Sequence, residues 1–398
     1  MKGSADNTVL LRNGRLVEPK RIIDNASLLI QDGLIKQIFY SETSLSEASV
    51  DLTGLTLFPG FIDVHIHGAV GVDTMEASAE SLRKVSDFLA KQGVTAWLPT
   101  LVPAPQGDYE RAVRAIDELI KEQNEAPSGA CVLGVHYEGP FVNTAQCGAL
   151  RSEHFRSFST MSEIEDLPVP EDPSAVRMMT LAPEIEGGVE LVRELNTRGW
   201  VISIGHTRAE LDVLNRAFQV GARHFTHFMN AMPSLHHRSP GPVGWGLSRD
   251  DVTCDIIADG IHLDAAMVEL LLKLKTSERL TLISDSIAAA GQGDGEYEIW
   301  GETISVTDGC TRNTRGSIAG SVITMLDAVS MMRSLGASDM DVARMSATNP
   351  ARLLRIDDRC GSIEEGKRAD LIALDQSGNV RLTLVGGEIV FDRAMEVS

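Results

Sequence analysis

Two textures of apolar spacing run along this chain and divide it into ends and a middle. Near the N-terminus, Val9-Leu10-Leu11-Arg12 leads into Asn13-Gly14, and Ala26-Ser27-Leu28-Leu29-Ile30 leads into Asp32-Gly33, with Ile35-Lys36-Gln37-Ile38 following. Asn-Gly and Asp-Gly between short apolar runs are hairpin signals. The C-terminal end repeats the style in Leu371-Ile372-Ala373-Leu374, Leu382-Thr383-Leu384-Val385, Gly386-Gly387 and Glu388-Ile389-Val390-Phe391. Neither end is long enough to bury a core alone. Residues 1–58 and 359–398 are therefore expected to pair as one small β-sandwich domain.

Over residues 59–358 short apolar runs alternate with helical patterns, the signature of βα units around a parallel sheet. Strands are expected at 61–67, 94–98, 131–138, 178–182, 201–206, 222–227, 252–258 and 280–285. Leu82, Val85, Phe88 and Leu89 recur at helical spacing and close on Gly93. Thr207-x-x-Glu210 reads as a capping box that opens a helix directly after a strand. Between the sixth and seventh strands no convincing helix pattern appears, and His236-His237-Arg238-Ser239-Pro240-Gly241 reads as a long polar loop. Eight such strands fit an α/β fold of the (β/α)8 TIM-like barrel type. An open doubly wound sheet ranks below it, because no GxGxxG follows an early strand.

Composition narrows the function classes. The 398 residues are 43% hydrophobic and 23% charged, a globular balance. A formal net charge of −20 disfavours nucleic acid and anionic membranes as partners, while a locally basic pocket still admits an anionic small molecule. The segment Met1 to Asn7 lacks the apolar run of a secretory leader, and no stretch reaches the length of a membrane span. Five cysteines without CxxC spacing argue against a disulfide framework or a zinc ribbon, and point to the cytoplasm.

The candidate chemistry sits at strand ends. In Phe61-Ile62-Asp63-Val64-His65-Ile66-His67, alternation puts Ile62, Val64 and Ile66 on one face and Asp63, His65 and His67 on the other. Two imidazoles side by side can clamp a metal ion, or simply hydrogen-bond in a strand. Glu138, His206, His227 and Asp285 each end a further expected strand. Active sites of this barrel lie at the strand C-termini, so six ionisable side chains at five such ends converge on one rim.

These residues also carry a resemblance. Pro59-Gly60-Phe61-Ile62-Asp63-Val64-His65-Ile66-His67 resembles the entry motif of the amidohydrolase superfamily. His136-Tyr137-Glu138-Gly139-Pro140-Phe141, Gly205-His206-Thr207, Thr226-His227-Phe228-Met229-Asn230-Ala231-Met232 and His236-His237-Arg238-Ser239-Pro240-Gly241 are more specific. With Ile257-Ala258-Asp259-Gly260-Ile261-His262, Ser284-Asp285-Ser286 and Gly366-Lys367-Arg368-Ala369-Asp370-Leu371, they resemble the N-acetylglucosamine-6-phosphate deacetylases over nearly the whole chain. The resemblance implies hydrolysis of an N-acetyl amino sugar phosphate, with one or two divalent ions, zinc or iron, as cofactor. It implies a principal metal on Glu138, His206 and His227, and a second on His65, His67, Glu138 and Asp285. Asp285 would be the catalytic base and acid. Asn230 and Ala231 would bind phosphate, Arg238 would reach in from the partner of a homodimer, His237 would bind substrate, and His262 would contact the sugar. Ala149, Ile318, Ala319 and Gly320 would close the remaining walls.

Two departures matter. No Lys lies on the strand ending in Glu138, which sets the chain apart from hydantoinase-like relatives that bridge their metals with a carboxylated lysine. Leu150 stands where the family usually carries a His or Gln able to polarise the substrate carbonyl. Either a metal suffices, or Arg151 or His154 compensates, or the substrate is another N-acetyl amino sugar phosphate or N-acyl compound. A barrel scaffold without catalysis is the competing class, but such proteins typically lose metal ligands and all six are present here.

Overall fold

The structure is a computed structural model that describes residues 8–41 and 49–396. The leader reading of Met1 to Asn7 lies outside the described residues. No helix among the described residues is long and apolar enough to cross a membrane.

The two chain ends share one hydrogen-bonded sheet. Strands Thr8–Val17, Ile22–Gln31, Leu34–Phe39, Ser49–Asp51 and Thr56–Pro59 come from the N-terminal side, and Leu371–Leu374, Val380–Val385 and Glu388–Asp392 return from the C-terminal side. The junction is the antiparallel ladder of Thr56–Pro59 with Leu371–Leu374. Leu28, Ile30, Leu57, Leu371, Ala373 and Leu384 are buried together there. Asp32-Gly33 makes the expected hairpin, with both residues at positive φ (51° and 78°), as that tight turn requires. Asn13-Gly14 does not turn. The strand runs on through it, and Asn13 (φ 60°) sits in a bulge between the Leu11 and Gly14 pairings.

The middle is a barrel of eight parallel strands: β1 (Phe61–Ile66), β2 (Val94–Leu101), β3 (Gly134–Glu138), β4 (Val176–Leu181), β5 (Val201–Ile204), β6 (His224–Phe225), β7 (Thr253–Ile257) and β8 (Leu280–Ile283). It closes just beyond the ends of β8 and β1, where Asp285 N–H donates to His65 O (2.9 Å) and His67 N–H to Ser286 O (2.8 Å). Ile62, Val64, Ala96, Leu98, Met178, Val201, Ile257 and Ile283 pack in one cluster with Ala351, Leu354 and Ile356 from the helical segment after residue 349. A larger cluster joins Phe61, Val94 and Trp97 to Leu82, Val85 and Leu89 of helix α1 (Ala79–Lys91), which is the helix expected from their spacing. Met325 and Met332 are also fully buried in that cluster.

Two helix expectations need correction. The helix after β5 is α2 (Leu211–Gln219), whose N-cap is Glu210 without a side-chain capping bond. Thr207 instead donates to Glu184 Oε2 (2.6 Å) and accepts from Ala209 N–H, so it orders the loop ahead of the helix. Between β6 and β7 there is a short helix α3 (Gly241–Leu247), hidden from the pattern by its Gly and Pro content; it buries Val243 and Trp245.

Past β8 the chain makes an excursion that lies outside the expected alternation of strands and helices. Strands β9 (Gly295–Ile299), β10 (Glu302–Thr307) and β11 (Cys310–Arg312) form a separate antiparallel sheet. Ile299, Ile304 and Val306 bury one face of it against Ile287, Ala288, Ala289 and Ala319.

Candidate metal centre

The side chains expected at strand ends do converge, but three reach the rim from beyond the strands. β5, β6 and β8 end at Ile204, Phe225 and Ile283, and the next residues but one are His206, His227 and Asp285. All three have left-handed backbone, at φ 47°, 28° and 50°. Such conformations cost about 1–3 kcal/mol each and persist where the surroundings over-determine them. Strand alternation therefore does not aim these residues; a local twist after each strand does.

Glu138, buried at the end of β3, is the hub. Its Oε1 lies 2.9 Å from His206 Nε2 and 2.9 Å from His227 Nε2. His65 Nε2 lies 3.5 Å from Oε1, and His67 Nε2 is 3.3 Å from Oε2. Asp285 Oδ1 is 3.3 Å from both His65 Nε2 and His67 Nε2. Asp63, grouped with these histidines by alternation, turns elsewhere: Ser284 Oγ–H donates to its Oδ2 (2.5 Å), tying β1 to the end of β8. β1 shifts register on either side of Asp63, which breaks the strict alternation.

The opposite ring nitrogens of His65, His67 and His206 are held by other partners, while His227 Nδ1 is buried without one among the described residues. His65 Nδ1 meets Thr226 Oγ1 (3.0 Å), His67 Nδ1 meets Thr100 O (3.3 Å) and His206 Nδ1 meets Gln146 O (2.8 Å). Such contacts fix ring orientation and present Nε2 as the inward donor atom. His136, two residues ahead of Glu138 on β3, bonds Thr180 Oγ1 and Val64 O and packs edge-on against His65. Burial, aided by the His65 charge, pushes its imidazole well below the usual range, so it stays neutral.

The electrostatics of the cluster are dominated by mutual charge. Burial opposes ionisation of Glu138, yet the histidines around it, His65 and His206 first, hold its carboxyl well below the ordinary value. Burial also opposes the charged form of Asp285, and is outweighed by the His65 charge and the hydrogen bond of His67. Burial alone would lower His67, but Asp285 and Glu138 raise it to about 10. Two triads, His65/His67/Glu138 and Glu138/His206/His227, have ligand atoms all within 4.8 Å of one another. The Nε2 atoms of His206 and His227 face each other at 3.2 Å with a carboxylate between them, a donor set that suits a divalent first-row cation.

Above the cluster opens a cavity of about 320 Å³, lined in part by Ala149, Leu150, Asn230, Ala231, His262, Ile318 and Gly320. His262 is held by Asp259, whose Oδ2 lies 2.7 Å from Nδ1. Ala319 is fully buried behind the wall. His237 and Arg238 are exposed and do not line this chain's own cavity; Arg238 Nη1 contacts His237 Nε2 at 2.7 Å. Arg151 and His154 do not line it either, whereas Leu150 does.

The sequence reading missed two residues here. Trp300 lines the cavity and packs edge-on against His67, ring centroids 5.1 Å apart. Asp73 lies beside it, half-buried as a residue but with its carboxylate Oδ2 enclosed, and that enclosure pushes its carboxyl up to about 6. The available signal was the alternation from Glu296 to Ile299 and again from Glu302 to Val306 around Trp300-Gly301, a hairpin pattern.

The amidohydrolase family model matches residues 56–390, which covers the barrel and the returning strands. The chain belongs to the amidohydrolase family. It is thus one of the family's metal-dependent hydrolases of amide bonds. Among its amidohydrolase relatives, the N-acetylglucosamine-6-phosphate deacetylase of Bacillus subtilis (strain 168) is 35% identical over 96% of this chain and 97% of its own. The N-acetylgalactosamine-6-phosphate deacetylase of Escherichia coli O157:H7 is also 35% identical, over 96% of this chain and 99% of its own. The crystal structure of N-acetylglucosamine-6-phosphate deacetylase from Thermotoga maritima superposes with a TM-score of 0.87 at 34% identity, covering 96% of this chain and 99% of that one.

Proposed function

We propose that this amidohydrolase removes the acetyl group of N-acetyl-D-glucosamine 6-phosphate, yielding D-glucosamine 6-phosphate and acetate. The observation that carries the reading is the Glu138-centred histidine cluster at the floor of a cavity whose walls include Asn230, Ala231 and His262. Its relatives of that name, aligned over almost the whole chain, support it.

Glu138, His206 and His227 would hold the principal ion, zinc or iron, and His65, His67 and Asp285 a second with Glu138 shared between them. Bound there, a divalent ion supplies a lowered pKa for water and polarisation of an amide carbonyl. Leu150 presents only hydrocarbon, so no side chain at that position can share the polarising role. Asp285, kept ionised by His65 and His67, takes the proton of the attacking water and returns it to the leaving amine. Asn230 and the backbone at Ala231 receive the phosphate, and His262, fixed by Asp259, meets the sugar. Arg238, out of reach of its own cavity, serves the site of a second copy in a homodimer. The enzyme works in the cytoplasm, with its cysteines as thiols.

Acetate release from N-acetyl-D-glucosamine 6-phosphate by purified, metal-loaded protein tests the reading; absence of release would sink it. The 35% identical relative that acts on the galactosamine isomer supports a second reading, so the 4-epimer belongs in the same assay.

A further inference from the structure

The cavity has one wall that neither the metal cluster nor the sugar-phosphate contacts account for. Trp300 forms it, at the turn between β9 and β10 with φ 55°. Its ring packs edge-on against His67, so it stands beside the metal end of the cavity rather than the phosphate end. Its only side-chain polar atom, Nε1, is buried and lies against the Asp73 carboxylate, whose Oδ2 is likewise buried and without a hydrogen-bond partner among the described residues. What Trp300 gives the cavity is therefore carbon surface. Leu150, only 3% exposed, adds more. The turn is also firmly held: Ile299 and Ile304 flank it in a buried cluster against which both Trp300 and Ala149 pack.

Hydrolysis requires the amide carbon at the metals, which puts the acyl substituent next to them. We propose that Trp300 is the specificity-determining residue that limits the length of the acyl group, admitting acetyl and excluding longer chains; this rests on the deacetylase reading above. The indole closes the space beyond the acetyl methyl, and its anchored hairpin keeps it from yielding to an extra methylene. Either amide would be cleaved in the same way, one water adding to the carbonyl carbon as the C–N bond breaks to give carboxylate and amine.

The test compares kcat/KM for N-acetyl- and N-propionyl-D-glucosamine 6-phosphate in the metal-loaded parent, Trp300→Ala and Trp300→Phe, with metal content measured on each. One methylene at a tight wall is worth roughly 10- to 200-fold in discrimination. The parent should favour acetyl by that order. Trp300→Ala should narrow the ratio about 10-fold or more, chiefly by gaining on the propionyl substrate, and Trp300→Phe, which keeps most of the bulk, should retain the preference. If Trp300→Ala does not fold, Trp300→Leu carries the comparison. An unchanged acetyl-to-propionyl ratio in an active small-residue variant overturns the proposal and leaves the deacetylase reading standing. Loss of metal in every variant also overturns it, since Trp300 would then act by holding His67. A parent inactive on both amides overturns the reading and the proposal together.

Discussion

The Nε2 atoms of His206 and His227 lie 3.2 Å apart, and each is 2.9 Å from the same oxygen of Glu138. Two neutral imidazoles cannot both aim lone pairs at one carboxylate oxygen without a positive charge between them. A bound cation removes the conflict, and Glu138→Gln should therefore cost more than a hydrogen bond. It should release the ion and abolish turnover, with the barrel still folded; metal analysis beside circular dichroism checks it. Retained metal with normal turnover would remove Glu138 from its central place.

Asp285→Asn keeps the shape of the side chain and removes the group proposed to carry the proton. Turnover should fall about 10²-fold or more, the usual size of an acid–base contribution. Metal at Glu138, His206 and His227 should largely remain. A variant with near-normal kcat would show that the proton moves by another route.

His65 and His67 meet one another, Glu138 and Asp285. Replacing both with Gln should lower the bound metal from about two ions to about one in a protein that loads both sites. Turnover should be reduced rather than lost, because the other triad is untouched. Unchanged stoichiometry would make the pair structural.

Gly205 shows how closely the rim is packed. A Cβ there would stand 2.3 Å from Thr226 Cγ2 and 2.6 Å from Thr180 Cγ2. Those threonines orient His65 and His136, so the clash would pass straight to a ligand. Gly205→Ala should destabilise the protein by about 1–3 kcal/mol and weaken metal binding. Urea unfolding and metal titration read the two effects separately; a variant equal to the parent in both would mean the threonines move aside freely.

Arg238→Ala should raise KM for the phosphorylated sugar by about 10- to 150-fold, the worth of a charge-assisted contact of roughly 1.5–3 kcal/mol, and hardly change that for the unphosphorylated analogue. If Arg238 serves the partner's site as proposed, mixing it with Asp285→Asn should restore part of the activity, because one site of each heterodimer would then have both an intact Asp285 and a donated Arg238. A mixture of folded, subunit-exchanging parents that shows no more activity at low substrate than the two parents kept apart would exclude donation in trans.

Sequence alone showed all eight barrel strands, because short apolar runs recur along residues 59–358 with helical patterns in most of the gaps between them. It also showed the six ionisable residues that meet, since chain order puts them at the ends of the first, third, fifth, sixth and eighth strands. What it could not show is how they meet. His206, His227 and Asp285 enter the site through left-handed turns that no alternation rule contains. Asn13-Gly14 looked like a hairpin and is a bulge, because the strand pairing on both sides outweighs the local turn preference. Thr207 looked like a cap and instead bonds Glu184, a partner 23 residues back along the chain. Trp300 was passed over because its hairpin interrupts the βα rhythm just where the barrel was complete.

The barrel's seam has a consequence for the order of events during synthesis. Asp63 and Ser284, 221 residues apart, are bonded across it, and the backbone of Asp285 completes the closure against His65. Every histidine of the cluster and Glu138 leave the ribosome before β8 does. On the proposed assignment a growing chain gathers its metal donors early, but holds no proton carrier until the last strand docks. Full hydrolytic competence would then be gained in the same step that shuts the cylinder, and an unfinished chain would lack the base that takes the proton of the attacking water.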